Sequence, residues 1–125
     1  MKFSPSEAGR VICESEFEGV TFTFAVPDSV LRAAPQWRVE ARPPPCSPND
    51  AVVAAIKEAK ELRLDIVAGW QKDSIELREV WDGCWVYVVR LYRSDFVMGL
   101  PDILEIPVLM TGQALHPVTQ HRITK

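Results

Sequence analysis

The sequence contains few of the residues that carry chemistry in small proteins. Its three cysteines, Cys13, Cys46 and Cys84, are dispersed and form no C-x-x-C pair, which argues against zinc ribbons, redox dithiols and a disulfide framework. The two histidines, His116 and His121, have no neighbouring residues that complete a metal site, and we expect both to be exposed to solvent. The six glycines are isolated from one another, so no phosphate-binding loop is predicted. The sequence therefore predicts neither a cofactor nor a metal.

Catalytic patterns are also missing. Cys84 adjoins a predicted turn, but no nucleophile signature surrounds it, and this favours an inert thiol. Asp73, Asp82, Asp95 and Asp102 lie at predicted turns, where aspartate caps backbone donors. No two carboxylates have a spacing that holds them together for acid–base work. These absences favour a protein that is not an enzyme.

Charge and hydropathy argue against two classes of partner. The net charge is −3 and the basic residues are scattered, so a phosphate backbone is not an expected partner. The N-terminus has no apolar signal-peptide core, and no run is long enough to cross a bilayer. We therefore expect a cytoplasmic protein that binds neither nucleic acid nor membrane.

Length and composition are typical of one globular domain. The chain has 125 residues, of which 47% are hydrophobic and 25% charged, and such a chain buries a core without disulfides. We expect a single domain over residues 1–125. It comprises an N-terminal segment (1–46), a main helix (47–68) and an antiparallel meander (74–118).

The N-terminal segment predicts extended structure. Residues 18–26 alternate apolar side chains with threonines, which indicates a half-buried strand, and residues 11–13 are expected to form a hairpin with it. Asp28 is a plausible cap for a short helical turn that ends before Pro35. Residues 37–41 are predicted to be either an edge strand or an ordered crossing segment.

The main helix has clear start and stop signals. Ser47 is the predicted N-cap, Pro48 occupies the first helical position and Asp50 follows three residues after the cap. Apolar residues then recur on one stripe, up to Ile66. Gly69 is the expected stop.

Asp82-Gly83 is the predicted turn of a long hairpin, and two registers are open. A two-residue turn places Leu77 opposite Val88, whereas a three-residue turn with a bulge shifts the pairing by one residue. The second register separates polar from apolar side chains better, and we prefer it because register follows the buried face. One face then carries Ile75, Leu77, Trp81, Trp85, Tyr87, Val89 and Leu91. The other carries Glu76, Arg78, Val80, Val86, Val88 and Arg90, with Glu76 across from Arg90.

A third strand is predicted over residues 103–110. Pro107 cannot donate to a ladder, so the strand is unpaired or bulged on one side there. A short last strand is expected over 113–118, followed by a polar tail that frays.

The predicted fold class is α+β, with one long helix packed on a curved antiparallel meander and an additional N-terminal strand or hairpin. This order of elements over residues 47–118 resembles the cystatin-like arrangement. The resemblance rests on element order and on no motif. Because that architecture hosts inhibitors, binding modules, regulatory domains and some enzymes, it does not choose a function.

Aromatic and exposed apolar residues supply the candidate contacts. Trp81 and Trp85 are expected to pair across the hairpin tip with Trp70 over them, either as core or as a binding patch. The loop 96–100 is apolar, and the face that carries Val86 and Val88 needs a cover from the N-terminal segment or a second subunit. The candidate ligand or partner contacts are Trp70, Trp81, Trp85, Tyr87, Phe96 and Met98.

Three functions fit these features. The leading hypothesis is a non-enzymatic interaction or regulatory module that binds a protein partner or forms a homodimer. The second is a small-molecule-binding domain with an aromatic pocket between helix and sheet. The third is a dedicated inhibitor or immunity-type protein that acts through its hairpin tip.

Overall fold

The computed structural model describes residues 9–38 and 43–122. Within these residues the chain forms two antiparallel three-stranded sheets, of order β1-β2-β6 and β3-β4-β5. The predicted α+β class is confirmed. The elements are β1 (Arg10–Phe17), β2 (Val20–Val26), α1 (Asp28–Ala33), α2 (Pro48–Leu62), β3 (Trp70–Trp81), β4 (Cys84–Arg93), β5 (Leu104–Leu109) and β6 (Thr119–Arg122).

The main helix α2 begins where the sequence predicts. The Ser47 hydroxyl accepts a hydrogen bond from the Asp50 N–H at 3.1 Å, and Pro48 lies in the first turn, where its missing N–H costs nothing. No helix in the described part of the chain is long and apolar enough to span a bilayer.

Helix α2 ends at Leu62, earlier than the predicted end at residue 68. The helix stops at Leu62 because Arg63 adopts a non-helical conformation (φ −131°, ψ 75°). The Arg63 guanidinium binds Asp65 at 2.7 Å and Glu18 at 2.9 Å. The Ile66 N–H then donates to the Arg63 carbonyl, so residues 63–69 form a loop rather than a last helical turn.

The hairpin confirms that Leu77 shares a face with Tyr87 and Val89, but its turn and its register differ from the preferred ones. Trp81 lies opposite Cys84 around the two-residue Asp82-Gly83 turn, and an irregularity between Glu79 and Trp81 then shifts the ladder. Leu77 consequently lies opposite Tyr87 and Glu76 opposite Val88, so the predicted pairing of Glu76 with Arg90 is wrong by two residues. Glu76 reaches Arg90 diagonally at 2.9 Å, since its direct partner is Val88.

Strand β4 is buried on both faces. The Tyr87 hydroxyl donates to the carbonyl of Cys46, just before α2, so its face of the sheet lies under the helix. On the other face Val86 and Val88 are fully buried.

The N-terminal sheet covers the face that carries Val86 and Val88. Arg78, which pairs with Val86, donates to the Ile12 carbonyl of β1 at 3.2 Å. The Ser15 hydroxyl accepts from the Glu105 N–H of β5 at 2.9 Å. These contacts favour an internal cover over a second subunit, and they leave Arg78 half-buried.

The chain after β5 returns to the first sheet. The Pro107 carbonyl accepts from the Leu115 N–H, so the proline lies where its missing N–H faces the outer edge. The Val118 N–H donates to the Thr23 carbonyl, and β6 pairs with β2. The last strand, predicted over residues 113–118, therefore lies at residues 119–122. These residues were wrongly predicted to be part of a frayed tail.

The meander begins earlier than predicted, and the extended segment predicted over residues 37–41 is described only in part. The meander begins at Trp70 rather than at residue 74, with a bulge between Lys72 and Ser74. At the start of that segment, the Trp37 N–H donates a hydrogen bond to the Gly83 carbonyl. Residues 39–41 lie outside the described residues.

Candidate interaction surface

Two loops and one turn meet at one end of the protein, which we call the loop end. They are the α2–β3 loop (residues 63–69), the β4–β5 loop (94–103) and the β1–β2 turn at Glu18. The Ser94 N–H donates to the Gly69 carbonyl at 3.0 Å, which joins the two loops. The Glu18 N–H donates to the Asp102 carboxylate at 3.2 Å. Hydrogen bonds from backbone N–H groups, one to a carbonyl and one to a carboxylate, therefore hold all three segments in one arrangement.

A network of arginines and carboxylates ties the loop end together. Glu18 accepts from Arg63 at 2.9 Å and from Arg93 at 3.0 Å. Arg63 also binds Asp65, and Arg93 also binds Asp95. With Asp102 included, four carboxylates meet two guanidiniums, so the loop end carries a surplus of two negative charges.

The carboxylates of Glu18, Asp65 and Asp95 are ionised at neutral pH. Partial burial opposes the charge on Glu18, but hydrogen bonds from Arg93 and Arg63 keep the pKa of Glu18 below its ordinary value. Hydrogen bonds from Arg63 lower the pKa of Asp65 to about 2, and those from Arg93 lower the pKa of Asp95. Because these groups are largely exposed, we expect them to order the loops more than they stabilise the fold.

Glu18→Gln is expected to lower the free energy of unfolding at pH 7 by about 1 kcal/mol, because a partly exposed charged acceptor is lost. Since folding lowers the pKa of Glu18 below its ordinary 4.5, the carboxylate stabilises the fold above that value and stops doing so as the pH falls through the folded-state pKa. Urea melts at pH 7 and about pH 2.5 measure both effects. Glu16→Gln on the same strand is the control, and an equal loss for Glu18→Gln at both pH values would contradict the account.

Exposed apolar side chains concentrate at the loop end. Among the described residues, six of the eight exposed large hydrophobic residues lie in its two loops. Val97 is 91% exposed and Leu100 is 97% exposed. Monomeric proteins rarely leave a large apolar surface in water unless it binds something. The six residues, which we call the apolar loop patch, are Leu64, Val67, Phe96, Val97, Met98 and Leu100.

A cleft of about 400 Å³ opens beside this patch. It lies between the β1–β2 turn and the β4–β5 loop, with Phe96 on its wall and the Phe96 ring edge-on to Tyr92 at 6.4 Å. Its charged lining residues are Glu18, Arg93, Asp95 and Asp102. The cleft therefore combines an apolar wall with more carboxylates than guanidiniums.

Of the six predicted contact residues, Phe96 and Met98 lie in the patch, whereas Trp70 and Tyr87 are buried. Trp70 packs against Phe17 with ring centroids 5.3 Å apart. The Tyr87 hydroxyl donates a hydrogen bond to the Cys46 carbonyl at 2.7 Å. We therefore assign Trp70 and Tyr87 to the core.

The predicted pair of Trp81 and Trp85 is wrong. The irregularity at Val80 places Trp81 opposite Cys84, on the other face of the hairpin from Trp85. The guanidiniums of Arg10 and Arg32 lie 4.9 and 4.3 Å from the Trp81 ring centroid.

The other two tryptophans of the predicted cluster also have different neighbours. Trp85 instead contacts Trp37 edge-on at 5.1 Å. Trp70 lies opposite Arg93, at the far end of the hairpin from the turn, so it does not close over the other two.

A second cavity, of about 670 Å³, lies near the hairpin turn. Gln36, Trp37, Arg38, Glu79 and Trp85 contribute to its largely polar lining. The Trp85 indole N–H is covered and has no acceptor among the described residues, so it offers no donor to a molecule in the cavity. This cavity gives weak support to the small-molecule hypothesis.

His116 is not the solvent-exposed histidine that the sequence suggests. Its Nδ1 lies 2.6 Å from an oxygen of Glu58, which is buried on α2. Burial raises the pKa of Glu58, although the hydrogen bond with His116 opposes this effect. The pair links α2 to the segment that leads into β6, whereas His121 is exposed on β6.

The cysteines show no sign of reactivity. Burial raises the pKa of Cys13 to about 12 and also raises the pKa of Cys46, which disfavours thiolates. All three cysteines are free thiols. Within residues 9–38 and 43–122, no group of three or more His, Cys, Asp or Glu residues is placed to hold a metal ion.

Sequence reasoning missed Glu18, Arg63 and Arg93, although two signals were present. Glu18 has φ +48° and Gly19 has φ +81°, and a Glu-Gly pair between strands is a turn signal. Each arginine precedes an aspartate by two residues, at Asp65 and Asp95. That repeated Arg-x-Asp spacing indicated local ion pairs but not their meeting at one carboxylate.

Comparisons of the chain with protein-family models, with curated proteins and with solved structures found no match.

Proposed function

We propose that this protein is a non-enzymatic interaction module that binds a protein partner through the apolar loop patch. The concentration of six exposed large apolar side chains in two adjoining loops carries this proposal. Removing each such side chain from water on binding contributes up to about 1.5–3 kcal/mol. The patch therefore has enough apolar surface for specific association.

The loop end also supports binding because its backbone is held in place. Glu18 binds both arginines, and the Ser94 N–H joins the two loops. A preorganised surface loses less conformational entropy when a partner binds. The ion-pair network thus favours binding, and its Arg63 guanidinium also lies 5.6 Å from the ring centroid of the buried Phe17.

A different protein suits this surface better than a second copy of the chain. Two copies that met through the patch would bring together two surfaces with a surplus of negative charge. Like charges that are brought together oppose association. Homodimer formation remains the alternative outcome of a sedimentation measurement at micromolar concentration.

The other hypotheses have less support. A ligand pocket between helix and sheet would have little aromatic lining. The Tyr87 ring is buried, and its hydroxyl already donates to the Cys46 carbonyl. An inhibitor that acts through the hairpin turn has few free backbone groups to offer there, because the Glu79 carboxylate accepts from the Gly83 N–H at 3.0 Å. The Gly83 carbonyl accepts a hydrogen bond from the Trp37 N–H.

We also infer that the chain folds as one domain in a reducing compartment such as the cytoplasm. The pairing of β6 with β2 supports the first inference, since it returns the end of the chain to its beginning. The free cysteines support the second. The order of α2 and the β3-β4-β5 meander supports a cystatin-like arrangement for that part of the fold, with the β1-β2-β6 sheet added to it.

Photo-crosslinking tests the proposed function. We would introduce p-benzoylphenylalanine at Met98, which is 84% exposed in the patch, and at Val53, which is 68% exposed on α2. A discrete protein adduct from position 98 and not from position 53, formed in the cells that make this protein, is expected. Adducts that are absent, or equal from the two positions, would contradict the proposal.

A further inference from the structure

We propose that the partner inserts a lysine or arginine side chain into the cleft at the loop end, while apolar side chains beside it contact the apolar loop patch. This inference rests on the proposed function and specifies the chemistry of the partner. The cleft and the patch share Phe96 and Leu100, so one short segment can occupy both.

The charges of the cleft favour a cation. Its lining includes three carboxylates, those of Glu18, Asp95 and Asp102, and one guanidinium, that of Arg93. The Arg93 N–H groups already donate to Asp95 and Glu18, so they are poorly placed to attract an anion. One oxygen of Asp102 accepts from the Glu18 N–H, and a carboxylate has room for further donors.

The apolar wall of the cleft suits a cationic side chain as well. Phe96 is 39% exposed, and an aromatic ring attracts an ammonium or guanidinium group that lies over its face. The aliphatic part of a lysine or arginine side chain packs on apolar surface while its charged end reaches a carboxylate. A volume of about 400 Å³ lies within the range of binding pockets.

Other occupants of the loop end fit these observations less well. An anionic membrane surface would be repelled by the surplus of two negative charges, although the apolar loops favour lipid contact. A second copy of the chain would be repelled for the same reason. The charge balance therefore favours a basic segment of a different protein.

NMR titration of the full chain tests the inference with three synthetic probes. The probes are acetyl-Gly-Leu-Arg-Leu-Gly-amide and the same peptide with Gln or Glu in place of Arg. The Arg peptide should shift the Phe96 and Asp102 amide signals and bind about tenfold more tightly than the Gln peptide, with the Glu peptide weakest. High salt should reduce this preference.

Two variants locate the effect within the loop end. Asp102→Asn keeps an acceptor for the Glu18 N–H and should weaken the Arg peptide about tenfold without changing the Gln peptide. Asp65→Asn is the matched control, because Asp65 is also paired with an arginine at the loop end but is not among the cleft-lining residues.

The outcomes separate this inference from the proposed function. Equal affinity for the three peptides, or no binding of any of them while the position 98 adduct persists, would overturn the inference and leave the interaction module in place. Co-sedimentation of the chain with phosphatidylcholine vesicles, together with loss of the protein adduct, would overturn both.

Discussion

Phe24→Ala is expected to lower the free energy of unfolding by about 3–5 kcal/mol, the usual cost of truncating a buried phenylalanine. Phe24 is fully buried on β2, in the sheet that covers the Val86 face of the hairpin. The loss combines reduced burial with the cavity that remains. Urea denaturation monitored by circular dichroism measures it.

Phe96→Ala is the matched control for this prediction. It removes the same ring from a 39% exposed position in the apolar loop patch, and we expect a loss of less than about 1 kcal/mol. If the two variants lost equal stability, then either the N-terminal sheet would not cover the core or the β4–β5 loop would be part of it.

His116→Ala is expected to cost about 2–4 kcal/mol at pH 7, because it leaves the buried Glu58 carboxyl without its partner at 2.6 Å. His121→Ala, at an exposed position on β6, should cost less than about 0.5 kcal/mol. Thermal or urea melts of the two variants provide the comparison, and similar losses would show that the His116–Glu58 pair is unimportant.

A double variant distinguishes a lost pair from a lost side chain. Glu58→Leu combined with His116→Leu removes both polar groups and fills the site with apolar atoms, which is often close to neutral. We therefore expect the double variant to be more stable than His116→Ala. A double variant less stable than that single variant would mean that the pair contributes more than the cost of one unpaired carboxyl.

Local chemistry made part of the fold predictable. The cap at Ser47 follows from the side-chain acceptor, Pro48 and Asp50 in order, and the structure places it there. The placement of Leu77 and Tyr87 on one face followed from the separation of polar and apolar side chains, although their direct pairing did not. Such features depend on residues that are close in sequence or that share one face.

Features decided by distant contacts were not predictable. Helix α2 was predicted to continue past Leu62 because its apolar pattern continues to Ile66, but Arg63 binds Glu18 from another element. The residues of β6 are polar and resemble a tail, yet β2 offers them an edge. The irregularity at Val80 moved Trp81 to the opposite face, and no turn signal in the sequence located it.

The candidate site was predictable only in its apolar half. The run Phe96-Val-Met-Gly-Leu100 indicated an exposed apolar loop, and the structure exposes it. Leu64 and Val67 were missed because they were placed on or beside a helix that ends earlier. The cleft depends on the β1–β2 turn and the β4–β5 loop, which lie about 80 residues apart along the chain.

The most direct test of the account asks whether the apolar loop patch serves binding rather than folding. The measurement is the free energy of unfolding of the triple variant Val97→Ser, Met98→Ser and Leu100→Ser in urea. Because these side chains are between 84% and 97% exposed, the account predicts a change of less than about 0.5 kcal/mol. A loss of more than about 2 kcal/mol, the size expected for buried apolar groups, would show that the loop packs against its own chain and would contradict the account.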